Sequence, residues 1–207
     1  MLTGAGISAE SGVPTFREAK AGLWSQDDPQ ELATPEAFNS NPEVVWEWYT
    51  WRQKLIAAAY PNAGQTALVS LEEFQAIQAA GFILITQNVD GLHQRAGSRS
   101  IIEIHGNIFR TRCIHQCNQV AQELVHNTVP PPCLNCSSLL QPEVVWFGEN
   151  FPQETLAQAS LISKTCDTLL SIGTSSTVEP AKSLPFMTKQ VEAVLIEINP
   201  THTPLTH

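Results

Sequence analysis

Four cysteines fall in two close pairs, Cys113-x3-Cys117 and Cys133-x2-Cys136, with 15 residues between the pairs. Two such pairs of thiolates make a tetrahedral Zn²⁺ site with every position filled. That site is structural, because no coordination position is left for water or substrate. Free thiols or a disulfide are the alternative, and His115, inside the first pair, is an alternative ligand. A second group opens the chain: Gly4-Ala5-Gly6-Ile7-Ser8-Ala9-Glu10-Ser11-Gly12. Small residues let a backbone approach a ligand closely, and N–H groups at a loop entering a helix hold anions. Read alone, Gly4-x-Gly6-x-x-Ala9 is a weak dinucleotide fingerprint. Gln87, Asn88 and Asp90 offer hydrogen bonds to ribose hydroxyls or a carboxamide, although Asn-x-Asp-Gly is also ordinary turn chemistry. Gly173, Thr174 and Ser175 follow an apolar run and suit phosphate or ribose contacts. His105 carries an imidazole, whose ordinary pKa of about 6.5 lets it take a proton near neutrality. Tyr49 and Arg52 stand three apart on a helical stretch and share one face. A guanidinium and a phenol there can grip a carboxylate. The plainer reading buries Tyr49 with three neighbouring tryptophans and pairs Arg52 with a glutamate.

These residues need a scaffold. Phe82-Ile83-Leu84-Ile85-Thr86, Thr168–Ile172 and Ala193–Ile198 are short apolar runs that fit strands buried on both faces of a parallel sheet. Helical stretches lie at about 43–59, 67–80 and 154–164. The alternation predicts an α/β, Rossmann-like doubly wound parallel sheet. Gln87 to Asp90 then sit at the carboxyl end of a strand, where ligands bind in open α/β sheets. The single domain of 1–207 divides into Rossmann-like parts at about 1–30, 80–111 and 142–207. A helical insert covers about 31–79, and a small inserted zinc-binding module, with three consecutive prolines, covers about 112–141. Cys166, before the strand at 168, is expected to be a core thiol.

The opening run through Val13-Pro14-Thr15-Phe16-Arg17 resembles the first signature of the sirtuins, the NAD-consuming protein deacylases. Thr86-Gln87-Asn88-Val89-Asp90-Gly91-Leu92-His93 is similar to their second, and His105-Gly106 to their His-Gly. The cysteine pairs, Pro142–Glu149 and Gly173–Val178 follow in the family's order. The resemblance implies that His105 is the general base. It implies that Gly4, Ala5, Gly6, Ser8, Phe16, Arg17, Gln87, Asn88, Asp90, Gly173, Thr174, Ser175 and Asn199 face NAD. It implies that the loop with Val145 and Phe147 pairs with a substrate peptide and lines the acyl-lysine tunnel. Tyr49, Arg52 and Ala33 resemble the acyl pocket of the class III branch, which removes succinyl, malonyl and glutaryl groups. Preference for acidic acyl groups, with weaker deacetylation, is therefore expected. The implied reaction joins the acyl oxygen to the ribose carbon, releases nicotinamide, and ends in free lysine and acyl-ADP-ribose. Sirtuins carry a longer first strand than Met1-Leu2-Thr3 and a further portion after the strand ending near Asn199. The fold is thus expected to be shortened at both ends and this span to be unstable alone.

With 20 acidic and 11 basic residues, the formal charge is -9, which argues against a nucleic-acid surface. No apolar run reaches the ~18 residues of a membrane span, and no signal peptide precedes the glycine loop. Acyl-lysine proteins as partners, a monomer, and a cytoplasmic location by default are expected. A dehydrogenase would need an acidic strand end near Asp27 or Asp28, which instead follow Trp24-Ser25-Gln26. An NAD- or ADP-ribose-binding protein without turnover, and a protein ADP-ribosyltransferase, are the other readings.

Overall fold

The chain is represented by a computed structural model that describes residues 1–15, 28–117 and 129–206. Phe16, Arg17 and Asp27 lie outside the described residues. Five strands form a parallel sheet: β1 (Leu2–Thr3), β2 (Leu84–Thr86), β3 (Ile101–Glu103), β6 (Thr168–Ile172) and β7 (Val194–Ile198), in the order β3-β2-β1-β6-β7. Short as it is, β1 is central, with Leu2 opposite Ile85 on one side and Ser171 on the other. β4 (Gly106–Cys113) and β5 (Leu140–Val144) form a separate antiparallel ribbon.

Both sheet faces are covered, as a doubly wound fold requires. On one face Leu2, Ile85, Ile102 and Leu169 meet Ala159 of α6 (Gln153–Thr165) and Leu184 of α7 (Ser183–Gln190). On the other, Met1 and Leu84 meet Leu68 of α4 (Ala63–Ile77). The expectation of a strand buried on both faces fails for β7. It is an edge strand, and Val194, Ile196 and Ile198 are exposed. Cys166 is only partly buried, packed against the first of these faces. Among the described residues, no helix is long and apolar enough to cross a membrane.

The helical insert is set by its caps. Thr34 accepts from Ala37 N–H at the start of α2 (Pro35–Ser40). Asn41 accepts from Val44 N–H at the start of α3 (Pro42–Ala58), with a proline in the first turn of each helix. Asn62 and Gln65 form a reciprocal capping box that starts α4 four residues earlier than the apolar pattern suggests. α3 is pinned at both ends. The indole N–H of Trp46 donates to Leu140 O at 2.8 Å, and Arg95, on α5 (Leu92–Ala96), donates to Ile56 O and Ala59 O at 3.2 and 2.6 Å. Ala59 O lies just past the last turn, and Ile56 O also accepts from the Ala59 N–H that caps the helix, at 3.1 Å.

Edge strand β3 is held at its entrance by buried Glu72 on α4. This carboxylate accepts from Ser100 N–H at 2.9 Å and from Arg99 N–H at 3.1 Å. Burial pushes its carboxyl up, but the hydrogen bonds from Arg99 and Ser100 outweigh that, and its pKa falls below the ordinary value. A depressed folded-state pKa means stability that is present above the unfolded value and lost as pH falls through the folded one. Glu72→Gln should therefore cost roughly 1–3 kcal/mol at pH 7. Urea denaturation of both proteins at pH 7 and at acid pH checks this: the gap should close as the wild-type carboxylate protonates.

Candidate functional site

In the order β3-β2-β1-β6-β7 the direction in which strands are added reverses at β1, and the carboxyl ends of the parallel neighbours β1 and β6 open into the crevice where such folds bind ligands. Two glycine loops meet there. After β1 the chain forms a 3₁₀ helix (Ala5–Ser11) rather than the α-helix start that the motif suggests. A Cβ on Gly4 or Gly6 would stand 2.8 Å from Gly173 O, and one on Gly173, whose φ is +61°, would run into Ile7 N. The glycines thus let two backbones touch. Gly4 N–H donates to Ile172 O and Gly6 N–H to Gly173 O, at 3.0 and 2.8 Å, so these two amides are not bared toward a ligand.

Around this junction the polar residues converge. Ser8 Oγ, almost fully buried, donates to Asp90 Oδ2 at 2.7 Å and accepts from Asn88 Nδ2 at 3.1 Å. Asp90 Oδ1 accepts from Leu92 N–H at 2.9 Å. Gln87 Nε2 donates to Thr174 Oγ1 at 2.9 Å, and Asn199 Nδ2 to Thr174 O at 2.7 Å. Ser175 pairs with Thr177 in the same exposed turn. Ser176 Oγ, next along, is buried and has no hydrogen-bond partner among the described residues. Hydroxyls, carboxamides and one carboxylate, with an orphaned buried hydroxyl among them, are a donor set that fits a ribose and an amide ring substituent.

Sequence reading missed the residues behind this loop. Gln65, fully buried, donates to Ser8 Oγ at 3.2 Å and accepts from Ser11 Oγ at 3.3 Å. Asn62 Nδ2 donates to Ile7 O and Ser11 Oγ at 2.7 and 2.9 Å. The helical insert thus holds the glycine loop. The signal was the spacing Asn62-x-x-Gln65, a capping box in its own right. His93, the last residue of the second signature, is a core residue, with Nε2 3.0 Å from Thr3 Oγ1.

His105 lies just past β3. Its Nδ1 is 2.8 Å from Gln87 O, so Nδ1 carries the proton and Nε2 keeps its lone pair. Burial lowers its pKa, and the Gln87 carbonyl raises it in part; the net direction is downward, toward the neutral base. Gly106, at φ +80°, must lack a side chain because Glu143 O lies where its Cβ would be. Beside it, Arg110 bridges Glu103 and Glu143 at 2.7 and 2.6 Å.

The loop after β5 joins this residue to the helical insert. Val145 N–H donates to His105 O, and exposed Phe147 donates its N–H to Ala33 O, both at 2.9 Å. Phe151 lies 5.4 Å from the His105 ring, tilted by 51°, and lines a cleft of about 470 Å³ with Glu149, Asn150, Leu156, Glu179 and Pro180. Tyr49 is completely buried, and its Oη accepts from the Trp146 indole N–H at 2.8 Å. Burial pushes its phenol up to about 12. The Arg52 guanidinium lies 4.8 Å over the Trp48 ring and 5.9 Å from that of Tyr49. Desolvation lowers its pKa, and Tyr49 and Asp90 act in the opposite sense. Tyr49 is core, as the plainer reading expects, and its ring lies beside the Arg52 cation.

In the ribbon, the four sulfurs of Cys113, Cys117, Cys133 and Cys136 lie within 4.8 Å of one another. The four hydrogen-bonded pairs among them span 3.2 to 3.5 Å, far from the ~2.05 Å of a disulfide. They approach the ~3.8 Å edge of a tetrahedron with ~2.3 Å zinc–sulfur bonds. Hydrogen bonds from Ser138 hold the Cys136 thiol down at about 6, whereas those to Cys136, Cys113 and Cys133 push Cys117 up. Four sulfurs this close cannot all ionise without a cation between them, so the set fits Zn²⁺. His115 bonds Ser138 and stands outside the cluster. Asp28 caps the short helix Pro29–Leu32 and ends no strand, which removes the dehydrogenase pattern at that residue.

The model of the Sir2 family matches residues 4–180. A protein of Aquifex aeolicus named NAD-dependent protein deacylase is 52% identical over 207 residues, covering 99% of this chain and 84% of that protein. The crystal structure of a Sir2 homologue–NAD complex superposes with a TM-score of 0.90 at 47% identity, covering 99% of this chain and 78% of that one. A Sir2–p53 peptide–NAD⁺ structure superposes with a TM-score of 0.80 at 35% identity, covering 99% and 82%.

Proposed function

This chain belongs to the Sir2 family, and from that premise we propose that it is an NAD-dependent protein deacylase preferring lysines whose acyl group ends in a carboxylate. NAD supplies a ribose carbon that bears nicotinamide as a leaving group and takes up the acyl oxygen. The chain's own residues position and deprotonate. Ser8, Asn88 and Asp90, buttressed by Gln65, hold the nicotinamide end. Gln87, Thr174 and Asn199 hold the sugar beyond it. His105 Nε2, bare because Nδ1–H is committed to Gln87 O, accepts a proton from a ribose hydroxyl. The loop with Val145 and Phe147 lies along the substrate peptide, and the cleft beside Phe151 receives the chain that carries the lysine. We read residues 1–207 as one catalytic domain, with the cysteine ribbon holding a structural Zn²⁺.

The acidic preference rests on one observation: the Arg52 guanidinium lies 5.9 Å from the ring of the completely buried Tyr49, so a cation and a phenol stand side by side. A carboxylate entering there gains charge-assisted hydrogen bonds that an acetyl methyl cannot make. Nicotinamide release should be measured with succinyl-lysyl and acetyl-lysyl peptides of one sequence. The wild-type protein is expected to favour the succinyl peptide, and Arg52→Met to lower the succinyl-to-acetyl ratio of kcat/KM roughly 10- to 100-fold. Equal use of both peptides by the wild-type protein would leave a deacylase and remove the acidic preference.

A further inference from the structure

We propose that Trp146 is a specificity-positioning residue, whose indole N–H turns the Tyr49 hydroxyl into a hydrogen-bond donor aimed at an acyl carboxylate. This rests on the acidic-acyl reading above and adds to it the residue that enforces it. A phenol has one proton and lone pairs that accept; an indole N–H only donates. Trp146 Nε1 donates to Tyr49 Oη at 2.8 Å across 97 residues of sequence, so that oxygen is an acceptor there. Its own proton has to go to a different group. Among the described residues, no acceptor for it is found, although Tyr49 is completely buried. With its pKa pushed up to about 12, the phenol keeps that proton throughout the neutral range. A buried O–H without an acceptor rejects a ligand that offers none and rewards one that does. A carboxylate accepts through both oxygens and donates nothing.

The indole cannot turn away. Its ring is buried and packs 5.2 Å from Phe38, and its backbone N–H is held by Glu149 Oε2 at 2.9 Å. Glu149 is fixed in turn by Arg112 at 2.6 Å. Trp146 also sits between Val145 and Phe147, whose N–H groups bond His105 O and Ala33 O. One residue therefore links the peptide edge, the strand end bearing His105 and the acyl pocket.

The test uses Trp146→Phe, Tyr49→Phe and the double variant, each assayed for the succinyl-to-acetyl ratio of kcat/KM. Trp146→Phe is expected to lower that ratio about 5- to 10-fold and to have no further effect in the Tyr49→Phe background. A role in packing alone would shift melting temperature without moving the ratio. Should Trp146→Phe not fold, β-(3-benzothienyl)alanine at position 146 keeps the bicyclic shape and removes only the N–H; the same fall is expected. A wild-type preference for succinyl that survives either replacement, or additive effects in the double variant, overturns the proposal while leaving the acidic reading in place. No wild-type preference removes that reading and the proposal together.

Discussion

His105→Ala should lower acyl-dependent nicotinamide release or deacylation about 10²- to 10⁴-fold, the span that one positioned general base contributes. The expectation follows from the ring's orientation. Nδ1–H is tied to Gln87 O at 2.8 Å, so the tautomer is fixed with Nε2 as the free base. Gln87 also donates to Thr174, which places the base and the sugar pocket on one side chain and its backbone. Burial lowers the His105 pKa below the ordinary 6.5. Lowering the pKa favours the neutral imidazole, the form that accepts a proton. The acid limb of the kcat/KM profile should therefore lie below pH 6.5, and it should vanish from the residual activity of His105→Ala. Steady-state rates from pH 5 to 8 check both statements. Full activity in the alanine variant, with zinc and melting temperature intact, would take the base away from this residue.

Stripping the metal should have the second large effect. The near end of the ribbon packs into the core of the helical insert through Ile108, Leu140 and Val144, and the four sulfurs are clustered at its Cys113 end. Metal analysis should give one zinc per chain. Binding of structural zinc is worth on the order of 10–16 kcal/mol in small domains, and this is folding free energy. A strong chelator, or Cys133→Ser, should lower the melting temperature by about 10 °C or more, since 1 kcal/mol moves it roughly 2–4 °C at this size. Deacylation should fall with it. β5 carries Leu140, whose carbonyl anchors Trp46 of α3, and leads directly into Val145, which bonds His105 O. Calorimetry before and after chelation, with zinc added back, separates this from damage to the parallel sheet. An unchanged melt after complete zinc removal would count against a structural ion.

Much of this was legible in the sequence because the signals are local. The run Thr168–Ile172 is the strand β6 to the residue, since an apolar run with a glycine behind it admits little else. The cysteine spacings read correctly as one cluster. What stayed hidden depends on distant parts of the chain. The glycines of the first loop look like free anion donors until Ile172 and Gly173, the latter 167 residues after Gly6, are brought against them and accept the amides of Gly4 and Gly6. Tyr49 looks like either a core residue or a ligand, and only the folded chain shows that it is buried with its oxygen accepting from Trp146. Gln65 carried a visible cap signal, but the loop it holds lies 57 residues away.

The contact among Gly4, Gly6 and Gly173 also bears on how this crevice tolerates change. Where two side chains collide, a second substitution can trim one of them and restore the fit. Here each new Cβ meets main chain: Gly173 O for Gly4 and Gly6, and the Ile7 and Gly6 backbone for Gly173. Gly4 also faces Thr174 Cβ at 2.8 Å, but trimming Thr174 would leave Gly173 O and Thr174 Cα in the way. These three positions are therefore closed to compensated drift. Variation in such a crevice has to enter through the side chains around the junction, Ser8, Gln65, Gln87 and Thr174, which can be exchanged in pairs.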